Sequence, residues 1–87
     1  MTTPSPDEVR RAVQELVSGA LARKKVPVKP EDVKEGASFL RDLGVDSLDV
    51  LQIMATVEKR FGVRIPEEEL KKIDDLAAAQ RAVLSRF

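Results

Sequence analysis

Between Asp46 and Gly62 apolar side chains recur at helical spacing on two sides of the chain, bounded by a start signal and a stop signal. Asp46 is a good N-cap, since its carboxylate can accept from the unpaired backbone N–H groups of a first helical turn, and Asp49 adds favourable charge there. Gly62 suits a left-handed C-terminal cap, with Lys59 and Arg60 where cations offset the helix dipole. The signals predict a helix from about Ser47 to Phe61. At roughly 100° per residue, Val50, Ile53, Met54, Val57 and Phe61 form one stripe, the spacing of a buried face. Leu48, Leu51 and Ala55 fall on nearly the opposite side. They are either covered by another segment of a bundle or offered to a partner, and periodicity leaves the two open.

The rest of the chain is punctuated in the same way. Ser5 as N-cap, Pro6 at the first helical position and Glu8 completing a capping box open an earlier helix. Val9, Ala12, Val13, Leu16, Val17, Ala20 and Leu21 carry it to about Lys24, and Pro27 ends it. From Val26 to Val45, Pro27, Pro30, Gly36 and Gly44 interrupt any sustained period, which reads as a long connection with short structure of its own. One turn is expected at Pro30–Val33 and another between Ser38 and Gly44, with Phe39, Leu40 and Leu43 pinning the loop to the core.

After Gly62, Val63-Arg64-Ile65 reads as extended, with Ile65 and Leu70 as core contacts, and Pro66 opens a short helix over Glu67–Leu70. Asp74 or Asp75 then caps a last helix with Leu76, Ala79, Gln80, Val83 and Phe87 on one side. Burying every apolar face predicts an all-α four-helix bundle of three longer helices and one short one, with a long loop between helices one and two. Residues 1–87 are expected to form one domain, with residues 1–5 a flexible N-terminus.

Composition removes several classes of function. Fifteen basic and fifteen acidic side chains cancel, and only three phenylalanines are present, so neither the charge nor the stacking surface of a nucleic-acid binder is available. No segment approaches the roughly 20 apolar residues that span a bilayer, and the N-terminus lacks the charged and apolar regions of a secretion signal, which predicts a soluble cytoplasmic protein without membrane insertion. With no Cys and no His, thiolate nucleophiles, imidazole chemistry and ordinary zinc sites are excluded, and any thiol must be borrowed. No carboxylates or lysines converge on a recognisable acid–base pair, so no catalytic residue and no metal site are assigned.

Gly44-Val45-Asp46-Ser47-Leu48-Asp49 resembles the modification motif of acyl carrier proteins. Phe61-Gly62-Val63-Arg64-Ile65-Pro66 is similar to the segment after their second helix, and Phe39-Leu40-Arg41-Asp42-Leu43-Gly44 and Ile73-Asp74-Asp75-Leu76 fit the family at compatible spacing. Asp-Ser-Leu alone is a weak signal; the ordered set is a strong one. The resemblance implies that Ser47 receives 4′-phosphopantetheine from coenzyme A through a phosphopantetheinyl transferase, and that the thiol of this arm carries an acyl group as a thioester. It implies that Asp46 helps the transferase place metal and coenzyme A. It also implies that Leu48, Asp49, Leu51, Gln52, Ala55 and Glu58 touch partner enzymes, with Ile65 and Glu67 at the edge of that surface.

The partners so implied are acyl-loading, condensing or acyl-transfer enzymes, met by a monomeric, non-catalytic carrier. Relatives serving fatty-acid synthesis tend to have a strongly acidic second helix. Here Gln52, Lys59 and Arg60 stand beside Glu58 on a neutral chain, so steering toward basic partners is weaker. Polyketide, specialised lipid or aminoacyl transfer therefore stands beside fatty-acid synthesis. The alternative is an unmodified helical adaptor that docks through Leu48, Leu51 and Ala55.

Overall fold

The computed structural model describes residues 3–87 and has four helices, with no strand among the described residues. Helix α1 spans Pro6–Arg23, α2 Ser47–Phe61, α3 Glu67–Leu70 and α4 Leu76–Leu84, with a 3-10 turn at Pro30–Asp32 between α1 and α2. Residues 1 and 2 of the expected flexible N-terminus lie outside the described residues. Ser5 is already engaged as the α1 N-cap: its hydroxyl accepts from the Glu8 N–H at 3.1 Å, and the Glu8 carboxylate accepts from the Ser5 N–H. This reciprocal box satisfies two of the donors that a helix start leaves unpaired.

α1 packs against both α2 and α4, and α2 also meets α4. Val9, Val13, Val17 and Leu21 of α1 face Met54 and Val57 of α2 and Leu76, Ala79 and Val83 of α4 in one aliphatic core. Phe39 is the one fully buried aromatic residue among the described residues, and half-buried Phe61 packs against the same core. Two expectations for the ends of elements are corrected here. Phe87 lies beyond the end of α4 and is exposed, because the helix stops at Leu84. Gln80 is half-buried and donates from its amide to the Pro6 carbonyl at 3.1 Å, tying α4 to the first turn of α1 instead of filling the core.

The connection over residues 24–46 is held by polar contacts. The Gln14 amide donates to the Val33 carbonyl at 3.0 Å and the Ser18 hydroxyl to the Val28 carbonyl. Ser38 is the one polar residue buried among the described residues, and its hydroxyl donates to the Asp74 carboxylate. Asp75, not Asp74, caps α4 by accepting from the Ala78 N–H at 2.8 Å. Phe39 and Val33 anchor this connection to the core, whereas Leu40, expected to do so, is exposed. Among the described residues no helix is long and apolar enough to cross a membrane.

Candidate functional site

The start of α2 follows from its cap. Gly44 takes φ +74, a backbone conformation that costs glycine little, and turns the chain so that Val45 is buried and Asp46 is extended at the N-cap. The Asp46 carboxylate accepts from the Asp49 N–H at 2.9 Å. Ser47 is then the first helical residue, and its side chain is exposed. At the other end Gly62 takes φ +67 and donates to the Glu58 carbonyl, the left-handed stop that its position in the sequence requires.

Both stripes of α2 are accounted for. Val50, Ile53, Met54 and Val57 are buried and Phe61 is half-buried. Leu48, Leu51, Gln52 and Ala55 are exposed, with Leu48 at 63% and Leu51 at 44%, so no segment among the described residues covers this side. Glu67 is exposed at the start of α3. Ile65, read both as a core contact and as the edge of this surface, is 3% exposed and lies in the core, because the extended segment after Gly62 turns it inward. Glu58 is half-buried, and its carboxylate accepts from the Ile65 N–H at 3.0 Å, so it fastens that segment to α2.

The serines differ in how they are used. Ser5 caps α1, Ser18 and Ser85 donate to the carbonyls of Val28 and Ala82, and Ser38 is paired with Asp74. Ser47 is the one serine for which no such partner is found among the described residues. Beside it lies a cleft of about 160 Å³, lined by Leu40, Ser47, Val50, Leu51, Leu70, Lys71 and Ile73. Leu40 is exposed because it forms a wall of this cleft instead of filling the core.

One charged contact was invisible to local sequence patterns. Lys24, at the end of α1, places its Nζ 3.0 Å from Asp46 Oδ2 and 2.8 Å from Asp49 Oδ2. Hydrogen bonds to the Asp49 and then the Asp46 carboxylate raise the Lys24 pKa above its usual value. The Asp46 carboxyl is held below the usual carboxylate range, first by the Asp49 N–H and then by Lys24. Asp49, expected on the partner surface, is mostly covered, with its side chain 18% exposed.

The sequence matches the family described as phosphopantetheine attachment site over residues 11–79, and the chain belongs to that family. It is 50% identical over 46 residues to the acyl carrier protein of Wolinella succinogenes, a match covering 53% of this chain and 60% of the relative's length. The fold is similar to a solved acyl carrier protein structure from Enterococcus faecalis, with TM-score 0.78 and 24% identity over 97% of this chain and 100% of that one. The prosthetic group of the family is covalently attached phosphopantetheine. The start of α2 fits it: the arm needs an accessible hydroxyl, and a phosphate there meets the unpaired N–H groups and the positive end of the helix dipole.

Proposed function

We propose that Ser47 is the attachment point of phosphopantetheine and that this chain is a carrier of acyl groups, not a catalyst. The observation that carries the reading is the position of Ser47. It is the exposed, uncommitted serine at a helix start inside the matched region, where every other serine serves the fold. In the attachment step the Ser47 hydroxyl attacks the coenzyme A phosphorus that bears the pantetheine, and its Oγ–P bond forms as the bond to the adenosine bisphosphate breaks. The hydroxyl proton passes to a base on the phosphopantetheinyl transferase. Asp46 fixes the turn on which this happens by capping α2. When bound, the group supplies the thiol that the cysteine-free chain lacks.

Leu48, Leu51, Gln52 and Ala55 form the face that meets acyl-loading, condensing or acyl-transfer enzymes of fatty-acid, polyketide or specialised lipid synthesis, with the chain acting as a monomer. Their exposure next to Ser47 supports this, since apolar side chains left open beside a reactive group are how a transient partner is recognised. The cleft supports an acyl cargo. It opens beside Ser47, and Leu40, Val50, Leu51, Leu70 and Ile73 give it apolar walls against which an acyl segment can lie.

The test is direct. Incubation with coenzyme A and a phosphopantetheinyl transferase raises the intact mass by one phosphopantetheine, and Ser47→Ala abolishes the gain while leaving the helical circular dichroism unchanged. A wild-type chain that stays unmodified by several transferases, or a Ser47→Ala chain that is still modified, overturns the reading.

A further inference from the structure

Lys24 reaches the modification turn because of how α1 ends. The Val26 N–H donates to the Leu21 carbonyl and the Lys25 N–H to the Ala22 carbonyl, both at 2.9 Å, with Lys25 left-handed at φ 64. This pair of bonds is the termination that stops a helix at a fixed angle. It leaves Lys24 at the helix end, facing a turn 22 residues further along the chain. There its ammonium bridges Asp46 and Asp49, which lie on either side of Ser47 in the sequence.

Before modification one cation thus serves two carboxylates. A phosphodiester on Ser47 adds a third anion to the same turn, one residue from Asp46 and two from Asp49, and like charges gathered at one point on the surface repel each other at low ionic strength. The helix dipole offsets part of this repulsion, and Lys24 is the cation already seated among the carboxylates. Lys71 also lines the cleft beside Ser47 and is the competing candidate.

Resting on the assignment of Ser47 as the attachment point, we infer that Lys24 is the counter-ion of the attached arm. It is a positioning residue that keeps the first turn of α2 intact once the phosphodiester joins Asp46 and Asp49. This gives the end of α1 a task in the modified protein beyond packing. It also makes the stability of the carrier depend on whether it is loaded.

The experiment compares the unmodified and phosphopantetheinylated forms of wild type, Lys24→Met, Lys24→Gln, Lys24→Arg and Lys71→Met. Each form is verified by intact mass and melted at low ionic strength and neutral pH. A purely structural loss lowers the Tm of both forms equally, so the readout is the change in Tm on attachment. In Lys24→Met and Lys24→Gln that change is more negative than in wild type by about 2–5 °C, the scale of a surface ion pair in a domain of this size. Lys24→Arg behaves as wild type, and the difference closes in about 1 M salt, where the Debye length falls to about 3 Å. Equal changes in wild type and both neutral variants, or a larger effect in Lys71→Met, overturn the inference while leaving Ser47 as the attachment point. A wild-type chain that gains no mass overturns both.

Discussion

The carboxylate of Asp74 accepts a hydrogen bond from the hydroxyl of Ser38, a residue 36 positions earlier and 7% exposed. The same carboxylate accepts from the Leu40 N–H at 3.1 Å, and the Asp74 carbonyl accepts from the Phe39 N–H at 2.6 Å. One residue of the α3–α4 link therefore holds the loop segment that seats Phe39 in the core and Leu40 against the cleft. Bonds to a charged acceptor are stronger than neutral ones, and losing the acceptor leaves a buried hydroxyl unsatisfied. Asp74→Ala should cost about 2 kcal/mol, a Tm drop of roughly 10 °C by circular dichroism. Asp74→Asn, which keeps an acceptor oxygen, should recover about half of it.

Lys25 takes φ 64, the left-handed region that side chains avoid and glycine tolerates. The backbone bonds that end α1 require that conformation, so the strain is part of the stop that aims Lys24. Relief of the side-chain clash outweighs the extra chain entropy of glycine. Lys25→Gly should therefore stabilise by about 0.5 kcal/mol and raise Tm by about 2–4 °C. Lys25→Val, with a branched side chain in the same conformation, should destabilise by at least as much. Urea unfolding with an unchanged m-value checks both.

The parts of this fold written in the sequence are those fixed by near neighbours. Asp46 and Gly62 bound α2 because a cap acts within three or four residues, and Ser5 with Glu8 opens α1 for the same reason. Ser47 stood out through the resemblance of its ordered flanking motifs to acyl carrier proteins, since a serine after an Asp cap is by itself an ordinary helix start. Contacts between distant segments decided the rest. Asp74 and Asp75 are equally good caps by type, and only the pairing of Asp74 with Ser38 leaves the helix to Asp75. Leu40 lies in a segment too short to show a period, so its exposure was set by packing, whereas Ile65 is buried as the core contact its segment suggested. Lys24 meets Asp46 and Asp49 through a turn whose left-handed residue is a lysine, with no glycine to announce it.

The Lys24 and Asp46 pair also predicts a pH response. Asp46 is held below its ordinary 3.8, so its contribution is present above that value and is lost as the pH falls through the lowered one. Lys24 is raised above its ordinary 10.5, so its contribution is complete below that value and is lost as the pH rises through the raised one. Asparagine caps helices as well as aspartate does, so Asp46→Asn removes the charge and keeps the cap. Tm measured from pH 2.5 to 7 should fall less in Asp46→Asn than in wild type. Lys24→Met should lack part of the alkaline decline. Parallel curves for wild type and Asp46→Asn would show that the pair contributes nothing.

The two sides of α2 should separate folding from recognition within one turn of helix. Met54 is fully buried between α1 and α4, and Met54→Ala removes its packing and leaves a cavity, which should cost about 3 kcal/mol. That is a large share of the roughly 4–13 kcal/mol expected of a domain of this length. Leu51, 44% exposed beside Ser47, keeps much of its surface in water, so Leu51→Ala should change stability by less than about 0.5 kcal/mol. Leu51→Asp should leave the thermal melt nearly in place and still lower the turnover of loaded chain by a partner enzyme tenfold or more. An apolar contact at the centre of a small interface is worth that much, and a carboxylate there would be buried without a partner. Steady-state kinetics with the loaded carrier as the varied substrate checks this: a rise in KM with the melt unchanged places Leu51 on the docking face, and unchanged kinetics in Leu51→Asp removes it.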